Sequence, residues 1–346
     1  MDIHKGRLLS NRYSVLYETG FDTTFTTERE AYVLILQNKK IIITNALYRG
    51  ESHTGDSQLH VCARGEKACE AIGRFCAENT ITTLEFEATD LHWNEVHELK
   101  KRGIELSPRF DISFNRIVKT EEELFAIKQA CHIGDQVLRD ITPYIYPGQT
   151  EKEIAWYIEK SIREGYQAEL AFDPIVAVDK NSALPHYHTK RGEGKIQDGS
   201  LLLIDFGVRA HNYCSDITRM IGIGAVSDEI RNTYVHLLDA QIKTVAAVKT
   251  TVELKELDIF CRAEMQKNNL PNYEHSTGHG VGLELHESPR VSGISVDKKM
   301  SHQVFTIEPG VYFPDKWGMR IEDTIMVSDQ GEAEVLTRFS KDLLLL

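Results

Sequence analysis

The chain has 346 residues, 41% of them hydrophobic, enough to bury a sizeable core in two domains. Its formal charge is 40 minus 52, or -12, which argues against nucleic acid or an anionic membrane as the main partner. No run approaches the roughly 18 apolar residues a spanning helix needs, and the polar start Met1-Asp2-Ile3-His4-Lys5-Gly6-Arg7 lacks the apolar centre of a signal peptide, so a cytoplasmic protein is expected.

Residues 1–117 read as a small α/β domain. Strand-like Ala31-Tyr32-Val33-Leu34-Ile35-Leu36 and Lys40-Ile41-Ile42-Ile43-Thr44 flank a turn at Gln37-Asn38-Lys39. A helix over 67–78, a strand at Thr83-Leu84-Glu85-Phe86-Glu87 and a helix over 91–102 follow. The segment 104–118, with Pro108, leads into a second domain, 118–346. There Thr120-Glu121-Glu122-Glu123 is a capping box opening a helix to about residue 140, and Thr150-Glu151-Lys152-Glu153 opens another to about 165. Further helices are expected over 228–249 and 254–268, with strands between the pairs, an α+β pattern. The cysteines Cys62, Cys69, Cys76, Cys131, Cys214 and Cys261 include no Cys-x-x-Cys pair, consistent with reduced thiols. Cys62, Cys69 and Cys76 recur every seven residues, the spacing of a helical stripe facing a core.

Chemistry concentrates in the second domain. Asp205 ends the apolar run Ser200-Leu201-Leu202-Leu203-Ile204, and Asp216 opens Ser215-Asp216-Ile217-Thr218-Arg219-Met220. If the chain folds back near Ala210-His211, the two aspartates stand opposite each other, with Cβ atoms roughly 4.5–5.5 Å apart. Glu308 and Glu322 repeat the device across a turn around Pro314-Asp315-Lys316-Trp317-Gly318. Gathered carboxylates repel one another and take up protons unless cations lie between them. Two divalent cations about 3.5–4 Å apart would resolve the conflict, and His279, between Gly278 and Gly280, offers an imidazole beside them.

The segments Leu202-Leu203-Ile204-Asp205-Phe206-Gly207, Ser215-Asp216-Ile217-Thr218-Arg219, Gly278-His279-Gly280-Val281-Gly282-Leu283, His286-Glu287, Thr306-Ile307-Glu308-Pro309-Gly310 and Arg320-Ile321-Glu322-Asp323 together resemble the metallopeptidases of the creatinase, or pita-bread, fold. The resemblance covers roughly residues 120–346 in order and spacing, and the preceding domain fits the proline-directed branch, the Xaa-Pro dipeptidases (prolidases) and Xaa-Pro aminopeptidases. It implies a C-terminal pita-bread domain behind a creatinase-like α/β domain, and a homodimer.

It also implies roles. Asp205 holds one metal, His279 and Glu308 the other, and Asp216 and Glu322 bridge both. A water between the metals becomes the nucleophile near neutral pH, and Glu308 shuttles its proton to the leaving nitrogen. His186 steadies the oxyanion, with His188 the alternative in Pro185-His186-Tyr187-His188. His275 and His286 contact the substrate, Arg320 orients a ligand carboxylate, and Tyr312 hydrogen-bonds nearby. Manganese is the expected metal, with cobalt, zinc or iron able to use the same donors.

The implied substrate is the bond before proline, a tertiary amide that needs a dedicated pocket. Arg290, in Ser288-Pro289-Arg290-Val291, matches an arginine that holds a dipeptide's free carboxylate in prolidases, which favours Xaa-Pro dipeptides. An Xaa-Pro aminopeptidase acting on longer peptides is the alternative. A metal-independent creatinase-like amidinohydrolase and a non-catalytic interaction protein fit less well, because relatives of those kinds lack a full ligand set.

Overall fold

The computed structural model describes residues 4–23, 29–37, 39–110 and 112–346, so Asn38 in the turn expected at 37–39 lies outside the described residues. They form two compact units, Met1–Asn115 and Arg116–Leu346.

The first unit is a six-stranded sheet of β1 (Lys5–Leu9), β2 (Ala31–Leu36), β3 (Lys39–Thr44), β4 (Ser57–Val61), β5 (Thr83–Glu87) and β6 (Glu105–Phe110), in the order β4-β3-β2-β1-β5-β6. Strand alternation sends Leu8, Leu34, Ile41 and Ile43 to a core shared with α2 (Ala68–Glu78). Leu9, Val33 and Ile42 go to a second core with Val15 of α1 (Arg12–Thr19) and Phe21. Both faces are covered, which is why β2 reads as an unbroken apolar run. α3 (Trp93–Lys101) lies between β5 and β6 in the chain. Cys69 and Cys76 are buried in α2, but Cys62 follows the end of β4. The seven-residue repeat therefore spans a strand end and a helix, and the expected helical stripe holds only for its last two members.

In the second unit both capping boxes form. Thr120 and Glu123 exchange backbone and side-chain bonds at the start of α4 (Glu121–Ile141), and Thr150 and Glu153 do so at α5 (Glu151–Lys160). The second helix continues as one π-turn, Ser161–Gly165. Val137, Leu138, Ile154 and Ile158 of this pair pack on a sheet built from β8 (Ile175–Val178), β9 (Leu201–Phe206) and β12 (Ile217–Gly222). Its order is β20-β12-β9-β8, where β20 is Leu344–Leu345. Three short strands, β7 (Glu169–Leu170), β10 (Val208–Ala210) and β11 (Tyr213–Cys214), form a separate ribbon.

The second half repeats the plan with α6 (Asp228–Ala247) and α7 (Lys255–Lys267). Its sheet has the order β14-β13-β15-β18-β19, from β13 (Gly278–Gly280), β14 (Glu287–Val291), β15 (Val304–Ile307), β18 (Asp323–Val327) and β19 (Ala333–Val335). A hairpin of β16 (Gly310–Phe313) and β17 (Trp317–Arg320) interrupts it. Helix pairs backing two sheets that are antiparallel except where β20 pairs in parallel with β12 make this unit the pita-bread fold. No helix among the described residues is long and apolar enough to cross a membrane.

Candidate metal centre

The ligand-type carboxylates sit at or beside strand ends. Asp205 is on β9, Asp216 lies between β11 and β12, His279 is the middle of β13, Glu308 separates β15 from β16, and Glu322 separates β17 from β18. Asp205, Asp216 and Glu322 each offer an oxygen within 4.8 Å of the others, and His279, Glu308 and Glu322 form a second such group. Glu322 belongs to both, and His279 Nε2 is 3.6 Å from Asp216 and 3.5 Å from Glu308.

The aspartate hairpin differs in register from the expectation. Asp205 pairs with Thr218, not Asp216, because the chain reverses at His211-Asn212, one residue later than expected. Both turn residues have positive φ, 50° and 70°, as a two-residue type I′ hairpin requires. The slip is two residues, an even number, so Asp216 becomes a diagonal neighbour of Asp205 on the same face. Gly207 permits the crossing, since a Cβ there would stand 2.2 Å from the Ser215 carbonyl oxygen. For the glutamates, the pairs Ile307–Asp323 and Gly310–Arg320 bracket Glu308 and Glu322 in one continuous register.

Glycine serves His279 by clearing space for neighbouring strands. A Cβ on Gly278 would lie 1.8 Å from the Thr306 carbonyl oxygen, and one on Gly280 would lie 2.4 Å from that of Ser288.

Burial pushes Asp205 up and holds Asp216 and Glu322 well above the usual carboxylate range, with the neighbouring carboxylates adding to the last two. Burial also lifts Glu308 to about 7, and lowers His279 to about 3 and His275 to about 4. Both imidazoles are thus neutral, and His279 keeps a lone pair for a cation. Asp205 Oδ1, Asp216 Oδ1 and Glu322 Oε1 are buried without a hydrogen-bond partner. Unsatisfied oxygens cost about 1–3 kcal/mol each. Three orphans in one acidic cluster with an adjacent neutral imidazole fit divalent cations, and the two donor groups joined at Glu322 fit a pair of them.

Arg320 is buried, touches Asp205 through Nη2, donates from Nε to Thr218 Oγ1 at 3.0 Å, and donates from Nη1 to the Tyr312 hydroxyl at 3.0 Å. His275 Nδ1 lies 2.8 Å from the Ser276 carbonyl, so that nitrogen carries the proton, and Nε2 then accepts from Tyr312 at 2.9 Å. Both ring nitrogens are engaged inside the protein, and the ring stacks on that of Tyr273 with centroids 4.7 Å apart. His286 stands edge-on to His279 with centroids 4.1 Å apart. Arg290 is exposed, pairs with His279 in register, and its charge acts on His286. His186 is exposed and interacts electrostatically with Asp205, His275 and His286.

Several supporting residues were not singled out from sequence. Thr218 donates to Glu322 at 2.6 Å while accepting from Arg320. Thr306 accepts from the His279 N–H at 3.1 Å and donates to Glu308 at 3.3 Å. Arg219 donates to Asp323 at 2.8 Å and to the backbone carbonyls of Thr218, Glu322 and Phe339. Thr218 lies two residues after Asp216 and Thr306 two before Glu308, the same spacing that separates the already assigned Arg320 from Glu322. In a strand that spacing means the same face as the ligand, and this is the signal that could have found Thr218 and Thr306 but not Arg219.

A buried carboxylate and imidazole cluster on this scaffold defines a metal-dependent hydrolase. A model of metallopeptidase family M24 matches residues 126–329, and the chain belongs to that family. An Xaa-Pro dipeptidase of Pyrococcus furiosus is 39% identical over 230 residues, 66% of this chain and 65% of that one, so the match spans just under two thirds of the relative's length. Among solved structures, a dipeptidase from Pyrococcus horikoshii superposes with a TM-score of 0.89 at 31% identity, covering 99% of this chain and 96% of its own. An X-Pro aminopeptidase from Thermotoga maritima superposes with a TM-score of 0.87 at 30% identity, covering 99% and 97%.

Proposed function

We propose that this metallopeptidase hydrolyses the Xaa-Pro bond of dipeptides with two divalent cations, manganese first among the candidates. The observation that carries the reading is the pair of donor groups sharing Glu322, with three buried carboxylate oxygens left unpartnered. Asp205 would hold one cation, His279 and Glu308 the other, and Asp216 and Glu322 both. Such a pair supplies an acidified water at neutral pH and polarises the scissile carbonyl.

The protein's own groups do the rest. Glu308, steadied by Thr306, moves a proton to the leaving proline nitrogen. His186 steadies the developing oxyanion. Arg320 keeps Asp205 and Tyr312 in place, and His275 fixes the direction of the Tyr312 hydroxyl. His286 borders the bound peptide, with Arg290 pairing the free carboxylate of a dipeptide. The Met1–Asn115 unit is the creatinase-like domain of the enzyme, the assembly is a homodimer and the compartment is the cytoplasm.

A second reading, release of the first residue from longer Xaa-Pro peptides, is favoured by the likeness to the Thermotoga enzyme. The test is hydrolysis of Ala-Pro beside Ala-Pro-Ala by metal-stripped protein, with and without manganese. Metal-dependent cleavage of Ala-Pro alone is the expected result. Cleavage of the tripeptide at Ala-Pro would establish the second reading, and silence on both with every metal tried would overturn the two together.

A further inference from the structure

Glu151, the first residue of α5, has no exposure to solvent, and the chemistry above does not use it. Four neutral donors occupy its carboxylate. The Val178 N–H at 2.7 Å and Asn181 Nδ2 at 2.9 Å reach Oε1, while the Tyr187 hydroxyl at 2.8 Å and the Gly194 N–H at 3.1 Å reach Oε2. A buried carboxylate is tolerated only when its lone pairs are used. Here the partners come from four points of one segment, 178–194, so a single group ties together its start, its short helical turn, its middle and its return. Space is made for it: a Cβ on Gly192 would stand 2.6 Å from Oε2 and 1.9 Å from the Tyr187 hydroxyl, and one on Gly194 would stand 2.5 Å from Cδ.

The same segment is tied on its other side to β17. The Gly318 N–H donates to Ser182 Oγ at 2.8 Å, and Arg320 Nη1 reaches the Pro185 carbonyl at 3.4 Å. Between these anchors stands His186, adjacent to Tyr187, whose hydroxyl is one of the four donors.

We propose that Glu151 is a positioning residue that seats the 178–194 segment and thereby holds His186 over the metal centre, an inference that rests, for its kinetic part, on the hydrolytic reading above. It acts through Tyr187, which links the clamp to the neighbouring histidine.

The experiment compares the wild type with Glu151→Ala, Tyr187→Phe, His186→Ala and the Glu151→Ala/His186→Ala double variant, each as the full chain loaded with manganese. Trypsin cuts mapped after Lys190 and Arg191 report the seating without reference to activity. Losing bonds to a charged group should speed those cuts roughly tenfold or more in Glu151→Ala, and less in Tyr187→Phe. For Ala-Pro hydrolysis, Glu151→Ala should lose up to ~100-fold in kcat with bound manganese unchanged. The double variant should be no worse than His186→Ala, because the two residues act through one group. Cutting as slow as in the wild type in both Glu151→Ala and Tyr187→Phe, or losses that multiply in the double variant, would overturn the inference. If Glu151→Ala does not fold, Tyr187→Phe decides the seating alone. If the wild type fails to cleave Ala-Pro, the hydrolytic reading falls, while faster cutting in the variants still supports the clamp.

Discussion

Replacing Glu322 by glutamine should stabilise the metal-free protein and at the same time abolish its response to metal. Asp205, Asp216 and Glu322 offer oxygens within 4.8 Å of one another, and two charges at that distance repel by roughly 3 kcal/mol at an effective dielectric constant near 20. Partial protonation already relieves some of this, so about half, ~1.5 kcal/mol, should be recovered by removing one charge. For a unit the size of Arg116–Leu346, that is a rise in Tm of about 3–6 °C. The sign with pH follows from the direction of the shifts. These carboxyls hold protons more tightly folded than unfolded, so their contribution to metal-free stability is greatest below the ordinary carboxylate range and falls as pH rises. For Glu308 the window runs from 4.5 to about 7. The advantage of Glu322→Gln should therefore be present at pH 8 and vanish near pH 4. Differential scanning calorimetry of stripped protein, with and without manganese, makes the measurement. A variant less stable than the wild type at pH 8 without metal, yet still raised by manganese, would show that repulsion at Glu322 does not limit metal-free stability and that Glu322 is no metal ligand.

Three further substitutions probe other parts of the structure. Thr218→Val removes the hydroxyl shared by Glu322 and Arg320, and should weaken metal binding 10–100-fold; titration calorimetry giving an unchanged affinity would remove its role. Arg219→Met breaks a buried pair but leaves Asp323 its contact with Lys341 at 2.7 Å. The cost should therefore lie near 3 kcal/mol, the low end for a broken buried pair, and a urea midpoint that does not move would contradict it. Arg290→Ala should depress kcat/KM for Ala-Pro far more than for Ala-Pro-Ala if the guanidinium holds the free carboxylate, and equal losses would show that it does not.

The legible parts of the molecule are those whose determinants lie close together in the chain. A capping box spans four residues, and both boxes mark helices correctly. Strand alternation places Arg320 and Glu322 on one face without any tertiary information. The aspartate register departs from the expected one because His211-Asn212 carries no glycine, the usual mark of a type I′ turn, and a shift of the turn by one residue moves the pairing by two. β1 carries little signal in the sequence because Lys5, Gly6 and Arg7 lead it, although Leu8 and Leu9 carry it into the middle of its sheet. Glu151 was illegible for another reason. Its partners lie 27 to 43 residues away, and in sequence it is simply the second residue of a capping box, where an acidic side chain needs no further account.

The clearance around His279 bears on how this family is recognised. Gly278 and Gly280 are held by the Thr306 and Ser288 carbonyls of adjoining strands, a demand of sheet spacing that makes no reference to metal. A descendant that abandoned catalysis would be free to exchange the histidine but would still be obliged to keep both glycines. The Gly-His-Gly signature thus merges an architectural constraint with a chemical one, and in a diverged sequence only its central letter testifies to activity.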